Sequence, residues 1–438
     1  MYIAFSKILF FPVNSTELKK NFEAVEKEMA VSVNPAINAS KCENIEKEFK
    51  HLSQSILEII KRINEEHLKK EVLKKQQEAL KQQQEAQKKQ QEAALPSQPE
   101  PEKEADFKQE AVSNKAEREE ENEVDYVHKD DFLLYKNLQS ELEKHQAVYA
   151  NIIKDASFKQ FRFDCAKAVN VPINAISPQS GQHLQDKLDK LVNLLRGNVI
   201  EVPPRRFKAT QHPGGIEYCA DLLARKLVRQ GEDVVSSKPE AAFAIAAVIH
   251  ALWSEFPFLG HLILAHFYKT CPYLVPYYPP QQEGQNDQDY YKALGYDYID
   301  GTVEKQDKFL KRMSGVVRLY AAVIVSVPRA RQQQPHPFGL QNGWTFLAAI
   351  LNLTPRLEIT ATVLFNFLEV AGHRLSNAYG KQFIKLLHLV CTEYFTLIRN
   401  VTPDGSDGPV VRLDDFLQKA IKRREIAPPN GQLPPRFW

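Results

Sequence analysis

The chain has 438 residues, room for two or three domains at roughly 150 residues each. Its 43% hydrophobic and 10% aromatic content suits a soluble protein with a packed core. With 57 basic and 55 acidic side chains the net charge is only +2, which excludes nucleic-acid binding through bulk charge alone. The charge is uneven, however: residues 1–160 carry 25 basic and 30 acidic groups, and residues 161–438 carry 32 and 25. All 17 glycines and all three tryptophans fall after residue 180, so the two parts differ physically.

Met1–Val13 is apolar, but Lys7 interrupts it and no small-residue cleavage site follows. It does not read as a secretory signal, and residues 1–14 receive no assignment. No run of 18 apolar residues occurs, so no membrane-spanning helix is expected. Residues 15–95 are expected to form a charged, coiled-coil helical region. Phe49, Leu52, Ile56, Ile59 and Ile63 recur at spacings of 3 and 4, a heptad seam suited to self-association or partner docking. A continuous helix here would be ~120 Å long. Pro96, Pro99 and Pro101 end it, and residues 96–125 read as an acidic disordered linker. A second helical, coiled-coil segment spans 126–157, with Tyr135, Leu138, Leu142, His145, Tyr149 and Ile152 on its seam. That seam serves either self-association or packing onto the domain that follows.

Residues 158–438 keep a helical period throughout, and the fold class is all-α. Leu184, Leu188, Leu191 and Leu195 form a stripe closed by Gly197. Tyr218–Arg229 continues similarly and is expected to stop at Gly231. Ser237-Lys238-Pro239-Glu240 has the spacing of a capping box before Ala241–Trp253. Further helices are expected over Leu259–Tyr268, Val303–Val327, Gly343–Leu351, Thr360–Ala371, Ala378–Val401 and Val410–Arg423. Tyr277–Asp300 reads as a long polar and aromatic loop. No sustained two-residue alternation and no hairpin dipeptide between β-branched runs is evident, so no strands are expected. Paired antiparallel helices of this kind stack into solenoid-like bodies.

The five cysteines, Cys42, Cys165, Cys219, Cys271 and Cys391, are odd in number and widely spaced, without a C-x-x-C. Buried, reduced thiols follow, not a disulfide framework or a zinc site. No phosphate-binding glycine loop, H-E-x-x-H or G-x-S-x-G occurs, so an enzyme of those classes is excluded and an interaction protein is favoured. His261 and His266, five apart, fall on different helix faces and read as surface or satisfied histidines rather than a metal pair. Basic residues instead gather at helix ends: Arg225, Lys226 and Arg229; Lys269; and Lys305, Lys308, Lys311 and Arg312, the last group sharing a face. They form either a polyanion site or a solvated face paired with Glu304 and Asp307. Aromatic residues do not interleave with these cations, so sequence-specific RNA reading is not expected.

Seven segments in order, PEAAF (239–243), LILAH (262–266), KTCPYLVP (269–276), QDKFLKRMSG (306–315), RLYAA (318–322), HPFGLQNGW (336–344) and TATVLFNFLEVAG (360–372), resemble the C-terminal domain of the Gle-type mRNA export factors. The resemblance spans about residues 155–438. The Gln-rich first half resembles that family's coiled-coil region by composition. The resemblance implies a HEAT-like helical solenoid that binds a DEAD-box RNA helicase at the cytoplasmic face of the nuclear pore. It implies a non-enzymatic activator of the helicase ATPase, with inositol hexakisphosphate as a tether and no metal. The rival reading is a structural adaptor that only tethers partners at the pore. An FG-repeat nucleoporin, expected on helices after about residue 380, and translation initiation and termination factors are implied partners. Localisation follows as the pore's cytoplasmic face, the cytoplasm and the nucleus. Carried over residue by residue, the polyphosphate site would use Lys226, Lys269, Lys308, Lys311 and Arg312. Tyr273 stands where some members have a basic side chain, which removes one phosphate contact.

Overall fold

An apolar run with no polar face can only be stable when it is covered on every side, and Ala241–Trp253 is such a run. Every residue from Ala242 to Trp253 is buried. The computed structural model describes residues 126–329, 335–357, 359–403, 405–434 and 437–438, all within the unit Lys108–Trp438. The segments expected at 1–14, 15–95 and 96–125, with Cys42 and the Phe49–Ile63 seam, lie outside the described residues.

The described part is predominantly helical. In chain order it comprises α1 (Lys129–Val148), α2 (Ala150–Lys154), α3 (Lys159–Asn174), α4 (Gly181–Leu195), α5 (Gly215–Gln230), α6 (Ala241–Glu255) and α7 (Pro257–Thr270). Then follow α8 (Asp287–Ala293), α9 (Gln306–Val325), α10 (Leu340–Leu351), α11 (Ile359–Tyr379), α12 (Lys381–Leu389), α13 (Phe395–Asn400) and α14 (Gly408–Arg423). Helix α6 packs against α7 and α9, α9 packs along α11, and α11 is covered by α14. Arg318 on α9 donates to Asn366 Oδ1 at 2.6 Å and pairs with Glu369, which pins α9 to α11. Among the described residues no helix is long and apolar enough to cross a membrane.

The second heptad segment packs onto the body behind it. Leu138, Leu142, Tyr149 and Ile152 are buried, with α1 lying on α5 and α7. His145 accepts this burial because its Nε2 meets the Glu217 carbonyl oxygen at 2.9 Å. Tyr149 donates to Asp221 Oδ2 at 2.7 Å, and His266 Nε2 lies 2.8 Å from Asp221 Oδ1. This buried three-residue tie joins α1, α5 and α7. Burial alone would raise the Asp221 pKa, but the His266 and Tyr149 hydrogen bonds outweigh it and hold it at about 2. His266 is thus a satisfied core histidine, while His261 lies exposed at 3.3 Å from Glu141.

Several local expectations are corrected. The helix ending near Arg229 does not stop at Gly231. The chain continues as a π-helical turn, Gly231–Val235. The Ser237 capping box is not made: Ser237 N and Lys238 N both bond Val234 O, so these residues close the π turn, and α6 begins after Glu240 without a side-chain cap. The helix expected over Ala378–Val401 is divided by Gly380, which has φ +49°, and by the π-helical turn Val390–Tyr394. Within the Tyr277–Asp300 loop, Asn286 caps α8 by accepting the Asp289 amide at 2.8 Å.

Two small antiparallel hairpins were unexpected. The first pairs β1 (Ile200–Val202) with β2 (Arg205–Phe207) across a cis Pro203-Pro204 bond. The second pairs β3 (Tyr298–Ile299) with β4 (Thr302–Val303) across Asp300-Gly301, whose φ values are +50° and +77°. That dipeptide is a two-residue hairpin signal, and flanks of only two residues hide it from a search for alternation. The thiols of Cys165, Cys219 and Cys271 are free and buried, and that of Cys391 is free and half-buried.

Candidate functional site: a lysine cluster around a clamped arginine

Helix α9 crosses the π turn at a glycine–glycine contact. A carbon added to Gly315 would lie 2.1 Å from Gly231 O and 2.6 Å from Ser236 N, so only glycine permits this approach. The crossing brings the end of α5 beside the first turns of α9. Arg312, one turn before Gly315, fills the junction. Its guanidinium pairs with Glu232 on the π turn and with Glu304 before α9. It also donates to Gly295 O at 2.9 Å and lies 3.7 Å from Asp297. Gly295 in turn lies against the Thr270 carbonyl at the end of α7. One arginine therefore ties together the ends of α5 and α7, the second hairpin and the start of α9.

Burial disfavours the Arg312 charge, but Glu304, Glu232 and Asp297 outweigh it and push its pKa above the ordinary arginine range. Burial raises the Glu232 pKa despite the same arginine. In Glu304 burial acts in the same upward sense, and the Arg312 bonds with the Asp297 amide bring the net shift down.

The four predicted lysines sit on the elements that Arg312 joins. Lys226 is near the end of α5, where its Nζ lies 3.3 Å from Asp233 Oδ2. Lys269 is exposed in the last turn of α7. Lys308 and Lys311 are exposed on α9, flanking Arg312 in sequence. Among the described residues no carboxylate lies within 4.0 Å of Lys269, Lys308 or Lys311. The alternative of lysines paired with Glu304 does not hold, because Glu304 is taken by Arg312. Helix α9 also starts without a side-chain cap, which leaves the positive end of its dipole beside the lysines.

Arg312 is the exception in the predicted set. Its side chain is 12% exposed and its donors face carboxylates and a carbonyl, so it positions the lysines rather than presenting a free fork to an anion. The sequence offered no signal for Glu232, which is 80 residues distant. Tyr273 is likewise not at the surface. It is 3% exposed, donates to Leu294 O at 2.9 Å, and packs edge-on to Phe309. Tyr296 stacks on the same Phe309 with centroids 3.7 Å apart. This aromatic cluster secures the loop to the start of α9.

The lysines thus form a cationic cluster whose elements are rigidly joined and whose charges are mostly uncompensated, the chemistry of a polyanion site. Among the described residues no group of three or more His, Cys, Asp or Glu could hold a metal. Residues 139–391, more than half of the chain, match the family model described as GLE1-like protein. The chain belongs to the GLE1-like family. This GLE1-like chain is 43% identical over 307 residues to the mRNA export factor GLE1 of Rattus norvegicus, covering 69% of this chain and 44% of that protein. It is 38% identical over 313 residues to the mRNA export factor Gle1 of Drosophila melanogaster, covering 71% and 46%. The GLE1-like chain spans less than half the length of these curated relatives. Among solved structures it is similar to a chain in that of the S. cerevisiae Dbp5 C-terminal domain bound to Gle1 and IP6. The TM-score is 0.58 at 19% identity, covering 70% of this chain and all of that one, and this likeness supports the fold.

Proposed function

We propose that this chain is an mRNA export factor that acts on a DEAD-box RNA helicase at the cytoplasmic face of the nuclear pore. It stimulates the helicase ATPase without being an enzyme itself. The body is a HEAT-like stack of helix pairs. It binds the two helicase lobes in a geometry that favours one conformation over the other, so the helicase cycle is accelerated by differential affinity. Inositol hexakisphosphate bridges the two proteins through Lys226, Lys269, Lys308 and Lys311, with Arg312 holding the elements that carry them. The observation that carries this reading is the convergence of these lysines around a clamped arginine, three of them without a carboxylate partner among the described residues. Kinship with mRNA export factors supports the export role.

An FG-repeat nucleoporin docks on the C-terminal helices. Ile384, Leu397, Val411 and Ile421 are exposed there, and a cavity of about 360 Å³ opens beside Phe395, Arg399 and Val410. Translation initiation and termination factors are further partners, the segment 15–95 self-associates, and the protein also works in the cytoplasm and nucleus.

The test is the RNA-dependent ATPase rate of the cognate helicase, titrated with the full chain with and without inositol hexakisphosphate. Stimulation that depends on the polyphosphate, and that weakens in Lys308→Gln/Lys311→Gln, is expected. Unchanged stimulation of that variant over a full titration removes the lysine site. Binding with no rate change makes the chain a tethering adaptor instead.

A further inference from the structure

The lysine cluster and the chain that leads into α1 have opposite charge and lie close together. Residues 117–125, just before the described part, carry Glu117, Glu119, Glu120, Glu121, Glu123 and Asp125 against the single cation Arg118. The carboxylates nearest the lysines are already committed: Glu232 and Glu304 to Arg312, and Asp233 to Lys226 and Arg229.

The point where this acidic segment ends is fixed. The Tyr126 carbonyl accepts the Tyr278 amide at 2.9 Å, and the Arg356 guanidinium lies 4.7 Å from the Tyr126 ring. From there the aromatic cluster leads straight to α9. The Tyr278 and Tyr273 rings are 5.8 Å apart, and the Tyr273 and Phe309 rings 6.3 Å. Phe309 follows Lys308 directly. Nine residues extend to about 30 Å, more than these few ring spacings require. A tether that short holds its charges at an effective concentration on the order of millimolar.

We propose that the acidic segment 117–125 folds back onto Lys269, Lys308 and Lys311 of its own chain and occupies the cluster as a built-in polyanion. This rests on the reading of the cluster as a polyanion site and adds its regulation. A phosphate-rich ligand must displace the segment, so the cluster discriminates against weakly charged anions and yields to dense ones. Each exposed contact is individually weak and screened by salt, which makes the displacement readily reversible.

The test uses the full chain and a variant with Glu117, Glu119, Glu120, Glu121 and Glu123 each changed to Gln. Calorimetric titration with inositol hexakisphosphate at low salt is expected to show the variant binding roughly five- to tenfold more tightly. Adding Lys308→Gln and Lys311→Gln to both forms is expected to abolish that difference. Equal affinity of the two forms, both binding, overturns the proposal and leaves the polyphosphate site intact. A second measurement does not depend on the ligand. Zero-length carbodiimide crosslinking of the unaltered chain, mapped by mass spectrometry, is expected to join Lys308 or Lys311 to residues 117–125. Absence of such links overturns the proposal. Links that form between isotopically distinct copies in a mixture overturn its intramolecular form. Links present while neither form binds inositol hexakisphosphate support the contact and remove the polyphosphate reading.

Discussion

Gly315→Ala isolates the crossing that assembles the lysine cluster. In a helix interior this change ordinarily gains up to about 1 kcal/mol, because alanine is the better helix former. Here the new carbon would sit 2.1 Å from Gly231 O, 2.6 Å from Ser236 N and 2.8 Å from Ser236 Cα. All three are backbone atoms, so no side chain can swing aside. An ordinary contact is about 3.5 Å, so α9 must lift by roughly 1 Å from the π turn. Overpacking of this kind costs about 1–3 kcal/mol, which outweighs the propensity gain. The expected net loss is ~1–2 kcal/mol, a fall in Tm of roughly 2–8 °C for a body of this size. Because Arg312 and Lys311 ride on the displaced turns, polyphosphate affinity should fall together with Tm. Gly231→Ala should be milder, since its added carbon meets Val316 Cα at 2.9 Å. Gly408→Ala, which meets only the Arg412 guanidinium at 3.7 Å, is the control and should be neutral within about 0.5 kcal/mol. Thermal melts of the three variants decide the matter. If Gly315→Ala melts with the control, the crossing is not sterically determined and this account of the cluster's assembly is wrong.

Three further outcomes are expected. His250 and His336 share Ser326 Oγ at 2.9 and 3.0 Å; burial lowers their pKa values to about 3 and about 4. The unfolded chain therefore binds protons below about pH 6.5 that the native chain refuses, so stability falls as pH drops from 6.5 towards 4 and is unaffected above that window. A loss of about 3–5 kcal/mol by pH 4.5 is expected from urea midpoints, and a flat profile over this range in the unaltered chain would refute it. Asp221→Asn should cost about 2–3 kcal/mol and speed amide exchange in α1 selectively, with Tyr149→Phe costing about 1 kcal/mol; uniform exchange throughout the body would argue against the tie. Tyr273→Lys, which places a cation in the aromatic cluster, should lose about 3 kcal/mol or more without improving inositol hexakisphosphate binding; a tighter, fully stable variant would place this residue in the site.

Much of the helical architecture was legible because its determinants are local. The leucine stripe of α4, the uninterrupted apolar run of α6 and the α9 pattern each declare their period within one window, and each helix forms there. What escaped depends on partners outside that window. The π turn after α5 exists because α9 approaches it through Gly315, and nothing near Gly231 announces that contact. The Ser237 capping pattern was a correct local rule overruled by bonds to Val234, which had already committed those amides. The second heptad run could serve a second copy or its own body by spacing alone; the buried Tyr149–Asp221–His266 tie supplies the reason that α1 packs inward.

The site divides along the same line. Helical spacing places Lys308, Lys311 and Arg312 on one side of α9, and so finds a cluster, but it treats the three cations as equivalent. They separate only once Glu232 and Glu304 arrive from elsewhere in the chain, because the guanidinium's fork takes both carboxylates while each lysine ammonium offers only a point charge. The arginine is thereby consumed in building the site, and by removing its two acidic neighbours from competition it leaves the lysines uncompensated. Replacing Arg312 by Lys should thus damage the site twice, loosening the junction and freeing two carboxylates to pair with Lys308 and Lys311. Polyphosphate affinity would fall although the formal charge is unchanged, an outcome that a model of five equivalent phosphate ligands does not predict.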